Sequence, residues 1–351
     1  MASKQGVTIR DVARDVGMSR QTVSRVLNNG PNVKPSVRDK VNEAIERLGY
    51  VPNISARRMR GSRSYLILAI NDRQRTYENW QAGRGNDWVD QMLFGGMTEC
   101  EKHGYHMVFE LIDTDPVKAQ EQLFKVISEL RPDGVILTPP HSENTRLTDL
   151  LKDQGIACAR VGRREGGEFV DVSMDERGAG AQVTGHLADL GHQRIAYLAG
   201  SPDYGNSLMR LDGYRSMLSQ RDLPLREDWI GKGDFRFETA NEVASRWLDC
   251  EDRPSAIIAD NDQMAFAVLH TVERLGLKVP DDLALVSFED TPGVRLSVPP
   301  MTAIRQPTAA MIARACEGLI KQSSGDNATG CFEVPFELIK RESTASNGQD
   351  R

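Results

Sequence analysis

A polar face on a short predicted helix is the stretch of this sequence best suited to contact another molecule. Ser19 can accept hydrogen bonds from the free backbone N–H groups of a first helical turn, and Val23 and Val26 recur at helical spacing, so one face packs. The opposite face carries side chains that reach base edges or phosphate oxygens when a helix lies in a major groove: Arg20, Gln21, Ser24, Arg25 and Asn28. The pattern predicts a helix that reads DNA.

A second short helix is predicted immediately before this one. Thr8 followed by Asp11 resembles a capping box, and Gly17 supplies a left-handed stop. Because Ser19 starts the next helix only two residues later, the spacing is that of a helix-turn-helix. An ordinary helical hairpin is the alternative, and the exposed basic residues in the first turns of the second helix favour the DNA-reading interpretation.

The charge distribution supports two functionally different parts. Residues 1–64 contain 13 Lys and Arg against five Asp and Glu, a net charge of +8, whereas the whole chain carries -6, which leaves -14 for the remainder. A basic head on an acidic body is typical of a nucleic-acid-binding module joined to another domain. A solvated basic helical surface is the alternative explanation of the charge taken alone.

A third helix and a linker complete the predicted head. Pro35 suits the first turn of a helix that stops at Gly49. Asn53 can cap a further short basic helix, but Gly61 and Ser62 indicate a linker that is not stably folded alone.

From Tyr65 onward, short β-rich apolar runs alternate with amphipathic helical stretches. This alternation predicts parallel strands with right-handed crossover helices, and the strands are too many for one ordinary sheet. Two α/β lobes with a crevice between them are therefore expected, and ligands in such folds lie beyond the carboxyl ends of the strands.

The composition limits the remaining classes. With 351 residues, two or three domains are expected. No run of about 18 apolar residues and no apolar signal core is present, so we expect a cytoplasmic protein that does not contact a membrane. The five cysteines include no CxxC pair, which predicts neither a disulfide framework nor a zinc module, and no other metal site or cofactor is expected.

An enzyme is not predicted, and no catalytic residue is assigned. The sequence lacks GxxxxGK[ST], GxSxG and HExxH motifs, and it has no GxGxxG in a strand-to-helix context. A free-standing sugar-binding protein of the periplasmic type remains a weaker alternative, because it would share the two lobes but should carry a signal peptide and no basic head.

The sequence resembles the LacI/GalR family of ligand-responsive transcription regulators over nearly its whole length. In the head the resemblance lies in VTIRDVA (7–13), GMS (17–19), TVSRVLN (22–28) and LGYVPN (48–53). In the body it lies in GH (191–192), IAYLAG (195–200), RLDGY (210–214), NDQMA (261–265) and PMTAIRQP (300–307).

The resemblance implies a homodimer that places two recognition helices in successive major grooves of a pseudo-palindromic double-stranded operator. By position, Arg20, Gln21 and Arg25 would read base edges, while Thr22, Ser24 and Asn28 would mainly contact the backbone. The positions expected at the DNA also include Thr8, Ser19, Asn53, Ala56 and Arg57.

The linker corresponds to the hinge helix of the family, which folds on DNA and inserts an apolar side chain into the minor groove. Most members carry leucine there, and this chain has Met59. Methionine is long and flexible enough to unstack a base step, so the role is expected to survive with less sharply specified bending.

A small ligand is implied in the crevice. The positions that match ligand-contacting residues of the family, together with two from the connection after the first strand, are Asp72, Trp80, Arg210, Phe235, Asn261, Glu289 and Gln306. Donors, a carboxyl group and an aromatic ring suit a sugar or glycoside. A purine or nucleoside co-repressor is the alternative within the family, and Glu289 departs from the more usual aspartate.

The connection 71–87 is longer than in most relatives. Because it leaves the carboxyl end of a strand, we expect Trp80 or Tyr77 to close over the ligand and to favour something larger than a monosaccharide.

The implied domains are a head at 1–52, a hinge at 53–64 and an effector and dimerisation domain at 65–351. The first lobe would span about 65–173 and 306–330, and the second about 174–305 and 331–345. The polar tail lacks heptads, so a dimer is expected rather than a tetramer. Ligand binding would change the orientation of the lobes and thereby operator affinity.

Overall fold

The computed structural model describes residues 7–27, 30–31, 33–50 and 63–344. The chain divides into two compact units, Met1–Tyr65 and Leu66–Arg351. Each unit has its own hydrophobic core.

The described residues of the first unit form three helices around a small core. The helices are α1 (Ile9–Val16), α2 (Arg20–Leu27) and α3 (Pro35–Leu48). Val12, Val23 and Val41 are fully buried, one from each helix, so the three apolar stripes meet. Gly17 adopts φ 67°, a left-handed conformation that favours glycine, and its N–H caps α1. The predicted helix-turn-helix head is confirmed.

The second unit contains two six-stranded sheets. The first has the order β11-β5-β4-β3-β1-β2, and all its neighbouring strands are parallel. Its strands are β1 (Leu66–Asp72), β2 (His106–Ile112), β3 (Gly134–Leu137), β4 (Ala157–Val161), β5 (Val170–Ser173) and β11 (Gly330–Glu333).

The second sheet has the order β12-β10-β9-β8-β6-β7 and is parallel except for β12, which runs antiparallel to β10. Its strands are β6 (Ile195–Ala199), β7 (Ile230–Lys232), β8 (Ala256–Ala259), β9 (Ala284–Glu289), β10 (Thr302–Arg305) and β12 (Glu337–Ile339).

Helices follow most strands, as expected for crossover connections. Those of the first lobe are α4 (Arg73–Gln81), α5 (Asp87–Lys102), α6 (Pro116–Leu130), α7 (Thr145–Asp153) and α13 (Thr308–Ser323). Those of the second lobe are α8 (Glu176–Asp189), α9 (Gly205–Gln220), α10 (Phe237–Leu248), α11 (Asp262–Arg274) and α12 (Pro292–Leu296).

The chain passes between the lobes three times, after β5, after β10 and after β11. The last crossing corrects the expected boundary near residue 330. Since Gly330–Glu333 pairs with β5, the first lobe extends to Glu333, and the second resumes at β12. A four-residue edge strand has too little alternation to be located from sequence.

The connection 71–87 is largely helical, which also differs from the expected long loop. Helix α4 begins immediately after β1, and the side chain of Asp72 caps it by accepting from the N–H of Arg75 at 3.1 Å. Only Thr76 of this helix is buried. Because it has no apolar stripe, this helix shows no hydrophobic periodicity from which it could be predicted.

Among the described helices none is long and apolar enough to cross a membrane. The described residues also contain no group of three or more His, Cys, Asp or Glu side chains arranged to hold a metal ion.

Candidate functional site

The exposed face of α2 is the candidate nucleic-acid interface. The Ser19 hydroxyl accepts from the N–H of Thr22 at 3.1 Å and therefore caps the helix. Val23 and Val26 anchor the opposite face in the core of the head. Arg20, Gln21 and Arg25 are exposed, whereas Thr22 and Ser24 are half-buried. The long polar side chains therefore lie outward on a helix that is fixed from behind.

Thr8 has a defined structural role at the start of α1. Its backbone N–H donates to Asp11 Oδ2 at 2.9 Å, and its hydroxyl donates to the same oxygen at 2.7 Å. These two hydrogen bonds lower the pKa of Asp11. Thr8 remains exposed, so it stays available at the surface of the head.

Five positions predicted at the DNA lie outside the described residues. They are Asn28, Asn53, Ala56, Arg57 and Met59. The DNA-backbone and hinge roles assigned to them stay predictions.

A cleft lies between the two lobes at the carboxyl ends of both sheets. It contains about 680 Å³ of empty space, a figure that includes its open mouth. Six of the seven predicted ligand positions line it: Asp72, Arg210, Phe235, Asn261, Glu289 and Gln306. Asp72 and Glu289 end strands β1 and β9, and the others except Arg210 follow strands within a few residues.

Arg210 is held by a buried network. Its Nε donates to Glu176 Oε2 at 2.6 Å, and its Nη1 donates to Asp260 Oδ1 at 3.0 Å. Arg210 is 2% exposed and the two carboxyl groups are also buried. Burial raises the pKa of Glu176 and Asp260, and the nearby guanidinium opposes this shift. The guanidinium is therefore fixed in position at the floor of the cleft.

Phe235 is positioned by an unusual backbone and by a glycine. Asp234 and Phe235 both have positive φ, 52° and 54°. The ring lies so close to Gly200 that a Cβ there would be 2.1 Å from Phe235 Cζ. The Tyr204 ring meets it edge-on at 5.3 Å between centroids. Non-glycine residues at positive φ cost free energy and cluster at ligand clamps.

Asn261 uses its amide within the protein. Its Oδ1 accepts from the N–H of Met264 at 2.9 Å and caps α11, and its Nδ2 donates to the carbonyl of Phe235 at 3.3 Å. The side chain therefore links the start of α11 to the segment that carries the aromatic ring.

Glu289 is strained and electrostatically perturbed. Its φ is 103°, in the region that favours glycine. Burial, followed by the neighbouring Asp262 carboxyl, raises the pKa of Glu289 well above its usual range. Burial also raises the pKa of Asp262 to about 7. A protonated Glu289 can donate a hydrogen bond as well as accept one.

The structure does not bring Trp80 to the cleft, which corrects the expectation that Trp80 or Tyr77 closes over a ligand. Trp80 is 46% exposed and Tyr77 47% exposed, and their rings contact each other edge-on on the outer face of α4. Trp88 lines the cleft instead. Once the connection folds as a helix, its spacing turns both aromatic residues away from the cavity.

Three ion pairs join α4 and the following turn to the second lobe, and we call them the cross-cleft bridge. Arg75 pairs with Asp234 at 3.4 Å, Glu78 pairs with Arg236 at 2.7 Å, and Arg84 pairs with Glu238. The Arg75 guanidinium also lies 5.3 Å from the centroid of Tyr204 and 5.1 Å from that of Phe235. Sequence reasoning missed this cluster because its partners are up to 159 residues apart.

Comparison with known proteins identifies the family of this chain. A profile described as "Bacterial regulatory proteins, lacI family" matches residues 8–53, and one described as "Periplasmic binding protein-like domain" matches residues 184–344. The HTH-type transcriptional regulator CelR of Thermobifida fusca is 30% identical over 345 residues, which is 97% of each chain. The chain belongs to the lacI family of bacterial regulatory proteins.

Other members agree with this assignment. Catabolite control protein A of Priestia megaterium is 28% identical over 340 residues, covering 96% of this chain and 99% of that one. A structure of the transcriptional regulator CelR with cellobiose matches with a TM-score of 0.72 at 28% identity, covering 96% of this chain and 99% of that one. A lac repressor dimer on operator shares the fold, with a TM-score of 0.79 at 23% identity and coverage of 97% and 100%. Like its relatives, this lacI-family chain is a ligand-controlled DNA-binding regulator and not an enzyme.

Replacement of Arg20 by alanine should relax operator preference at one base pair. A bidentate arginine contact to guanine contributes about 1–3 kcal/mol of discrimination. A randomised-site binding assay measures the preference directly. Arg14→Ala is the matched control, because Arg14 is an exposed arginine on α1 and should change affinity uniformly across sequences if at all. Unchanged base preference in the Arg20 variant would refute the assignment.

Charge reversal at the cross-cleft bridge should weaken the closed arrangement of the lobes. Glu78 and Arg236 are more than a third exposed, so their coupling free energy should be only about 0.2–1 kcal/mol. We expect Glu78→Arg and Arg236→Glu each to lower the free energy of urea unfolding, and the double variant to recover most of the loss. The pair of half-buried Arg215 and exposed Glu227, within the second lobe, serves as the comparison. Strictly additive effects at the bridge would mean that the pair does not hold the lobes together.

Proposed function

We propose that the protein is a dimeric transcriptional repressor in the cytoplasm that binds a pseudo-palindromic operator and responds to a sugar or glycoside in the cleft. The observation that carries the ligand proposal is the convergence of Asp72, Arg210, Phe235, Asn261, Glu289 and Gln306 around one cavity between the lobes. An aromatic ring beside fixed donors and carboxyl groups is suited to a polyol ring.

The polar groups of the cleft favour this ligand class. Glu289 and Gln306 offer both donors and acceptors, as vicinal hydroxyl groups require, and Phe235 offers an apolar face. The CelR structure, which is 28% identical, holds cellobiose, and that likeness also supports a saccharide.

Coupling between ligand and DNA follows from the position of the cleft. A ligand that contacts both lobes stabilises one relative orientation of the lobes and changes operator affinity by the difference in its affinity for the two states. Such coupling free energies are typically about 1–3 kcal/mol.

A thermal-shift screen followed by operator titration tests the proposal. The screen uses neutral sugars, glycosides, hypoxanthine and guanine, because any ligand that binds only the native state raises the unfolding midpoint. We expect a saccharide to raise the midpoint and to change the affinity for operator DNA measured by fluorescence anisotropy. A purine as the sole stabilising ligand would replace the sugar with the co-repressor class, and failure to bind any selected duplex would overturn the regulator assignment.

Dimerisation should depend on exposed apolar side chains. Phe94 is 65% exposed and Met97 57% exposed, both on α5 of the first lobe, and such exposed groups mark contact surfaces. Phe94→Glu combined with Met97→Glu should convert the dimer to a monomer in light scattering. Phe124→Glu, at an exposed phenylalanine on α6, should leave the dimer intact. A wild-type tetramer or monomer would contradict the proposed assembly.

A further inference from the structure

A second chamber adjoins the cleft. It contains about 850 Å³ of empty space, including its mouth, and we call it the outer chamber. Trp88, Glu289 and Gln306 line both cavities, so these three side chains form the boundary between them. The side of the outer chamber away from the cleft is formed by Gln91, Arg305 and the first turn of α13, among others.

The opposite end of the cleft is closed to a ligand that extends beyond one ring. There, Arg75 Nη1 donates to the carbonyl of Asp234 at 2.9 Å, and Arg75 Nε donates to the Tyr204 hydroxyl at 3.3 Å. The guanidinium also lies against the Phe235 ring. The two other ion pairs of the cross-cleft bridge, Glu78 with Arg236 and Arg84 with Glu238, join the same two segments of the chain. A ligand seated against Phe235 can therefore lengthen most readily toward Trp88.

The chemistry of the outer chamber suits a second polyol ring. Trp88 is half-buried between the two cavities and provides a broad apolar surface. Gln91 offers a donor and an acceptor, and Thr308 and Asp87 add further polar groups. Such groups recognise ring hydroxyls. The outer chamber therefore combines an aromatic ring with hydrogen-bond donors and acceptors, as the cleft does.

Both arginines of the outer chamber already have carboxyl partners, and Arg341 also contacts one of these, Asp290, at 2.6 Å. Arg305 Nε donates to Asp290 Oδ2 at 2.9 Å, and its Nη1 donates to Glu337 at 3.0 Å. Arg295 contacts the same Asp290 oxygen at 3.2 Å. A neutral, hydroxyl-rich group suits this chamber, because it can hydrogen-bond to guanidinium groups that already have carboxyl partners.

We propose that the ligand of this regulator is a neutral glycoside of at least two rings, with one ring against Phe235 and the next in the outer chamber against Trp88. The linkage between the rings passes Glu289 and Gln306. This proposal rests on the proposed function, since it assigns the ring number and direction of the saccharide in the cleft.

Two variants test the outer chamber without altering the cleft. Ala310 is exposed on the first turn of α13 and lines the chamber, so Ala310→Phe places a ring in it at little cost to folding. Gln91→Ala removes a polar partner instead. Lys321→Phe introduces the same side chain at an exposed position near the end of the same helix and serves as the matched control.

The measurement is calorimetric titration of the full chain with glucose, galactose, cellobiose, maltose, lactose and cellotriose. We expect one disaccharide or trisaccharide to bind at least tenfold tighter than its constituent monosaccharides. Ala310→Phe should lower the affinity for that ligand at least tenfold, and Gln91→Ala should lower it severalfold. Neither variant should change the affinity for monosaccharides, and Lys321→Phe should change no affinity.

The outcomes separate the two proposals. A monosaccharide that binds as tightly as every longer sugar containing it, or unchanged oligosaccharide affinity in Ala310→Phe, overturns the second subsite and leaves the proposed sugar response standing. If no saccharide of the set binds, the saccharide ligand and the second subsite both fail.

Discussion

Arg210→Ala should lower the free energy of unfolding by about 3–5 kcal/mol, which is the usual cost of removing one partner from a buried ion pair. The substitution leaves Glu176 and Asp260 buried without the guanidinium that both contact. A hydrogen bond to the backbone is lost as well, because the main-chain carbonyl of Asp260 accepts from the same Nη1 at 3.1 Å. Urea unfolding measures the change, and ligand affinity should fall in parallel because Arg210 lines the cleft.

The pH dependence of this loss has a defined sign. Burial already raises the pKa of Glu176 and Asp260 in the native state, and removal of Arg210 raises both further. A carboxyl group with a raised pKa in the native state binds its proton more tightly in the folded than in the unfolded protein. Its contribution to the free energy of unfolding therefore falls as the pH rises above the pKa that the group has in the unfolded state. The deficit of Arg210→Ala relative to wild type should therefore be smaller at pH 5 than at pH 7.

Arg215→Ala provides the control for this prediction. Arg215 lies on the same helix but is only half-buried, and among the described ion pairs it contacts only the exposed Glu227. Its replacement should change the unfolding free energy by at most about 1 kcal/mol. If Arg210→Ala were as mild as Arg215→Ala, or if its deficit were larger at pH 5, the buried network would not have the electrostatic role assigned to it.

The head was predictable from sequence because its signals are local. Thr8 and Asp11, the Gly17 stop and the Ser19 cap lie within a few residues of the groups they satisfy, and the valine stripes have helical spacing. The alternation of strands and helices likewise predicted two parallel sheets. These features depend on interactions between neighbours along the chain.

The cleft was predictable only in part, for a physical reason. The five ligand positions assigned by resemblance, and Asp72 from the connection after β1, line one cavity. Helix α4, however, lacks an apolar stripe and is fixed by contacts to the other lobe. Arg75 and Tyr204, both in the cleft, are 129 residues apart, and no local pattern joins them. Positive φ at Phe235 is equally hard to predict from propensity, since non-glycine residues rarely adopt it and phenylalanine is not among the enriched types.

Gly200→Ala, which adds a single methyl group beside the Phe235 ring, should have the second large effect, a loss of ligand affinity. In Gly200→Ala the new Cβ would lie 2.1 Å from Phe235 Cζ, so the ring must leave its place over residue 200. The displaced ring can move because it is the far end of a rotatable side chain, and the unfolding free energy should therefore fall by only about 1–2 kcal/mol. Loss of the stacking surface should lower the affinity for the tightest-binding saccharide by about 10- to 100-fold, which corresponds to ~1.4–2.8 kcal/mol of binding free energy.

Matched substitutions show whether the loss of saccharide affinity comes from the displaced Phe235 ring or from the change at Gly200 itself. Phe235→Ala should reproduce the loss of affinity, and Gly200→Ala added to it should cost little more, because the two substitutions remove the same surface. Gly185→Ala, in the middle of α8, meets only Met217 Sδ at 3.5 Å, an ordinary contact, and should leave binding unchanged. Calorimetric titration of the four variants decides the matter: full affinity in Gly200→Ala would mean that the ligand does not use the Phe235 ring where the fold holds it.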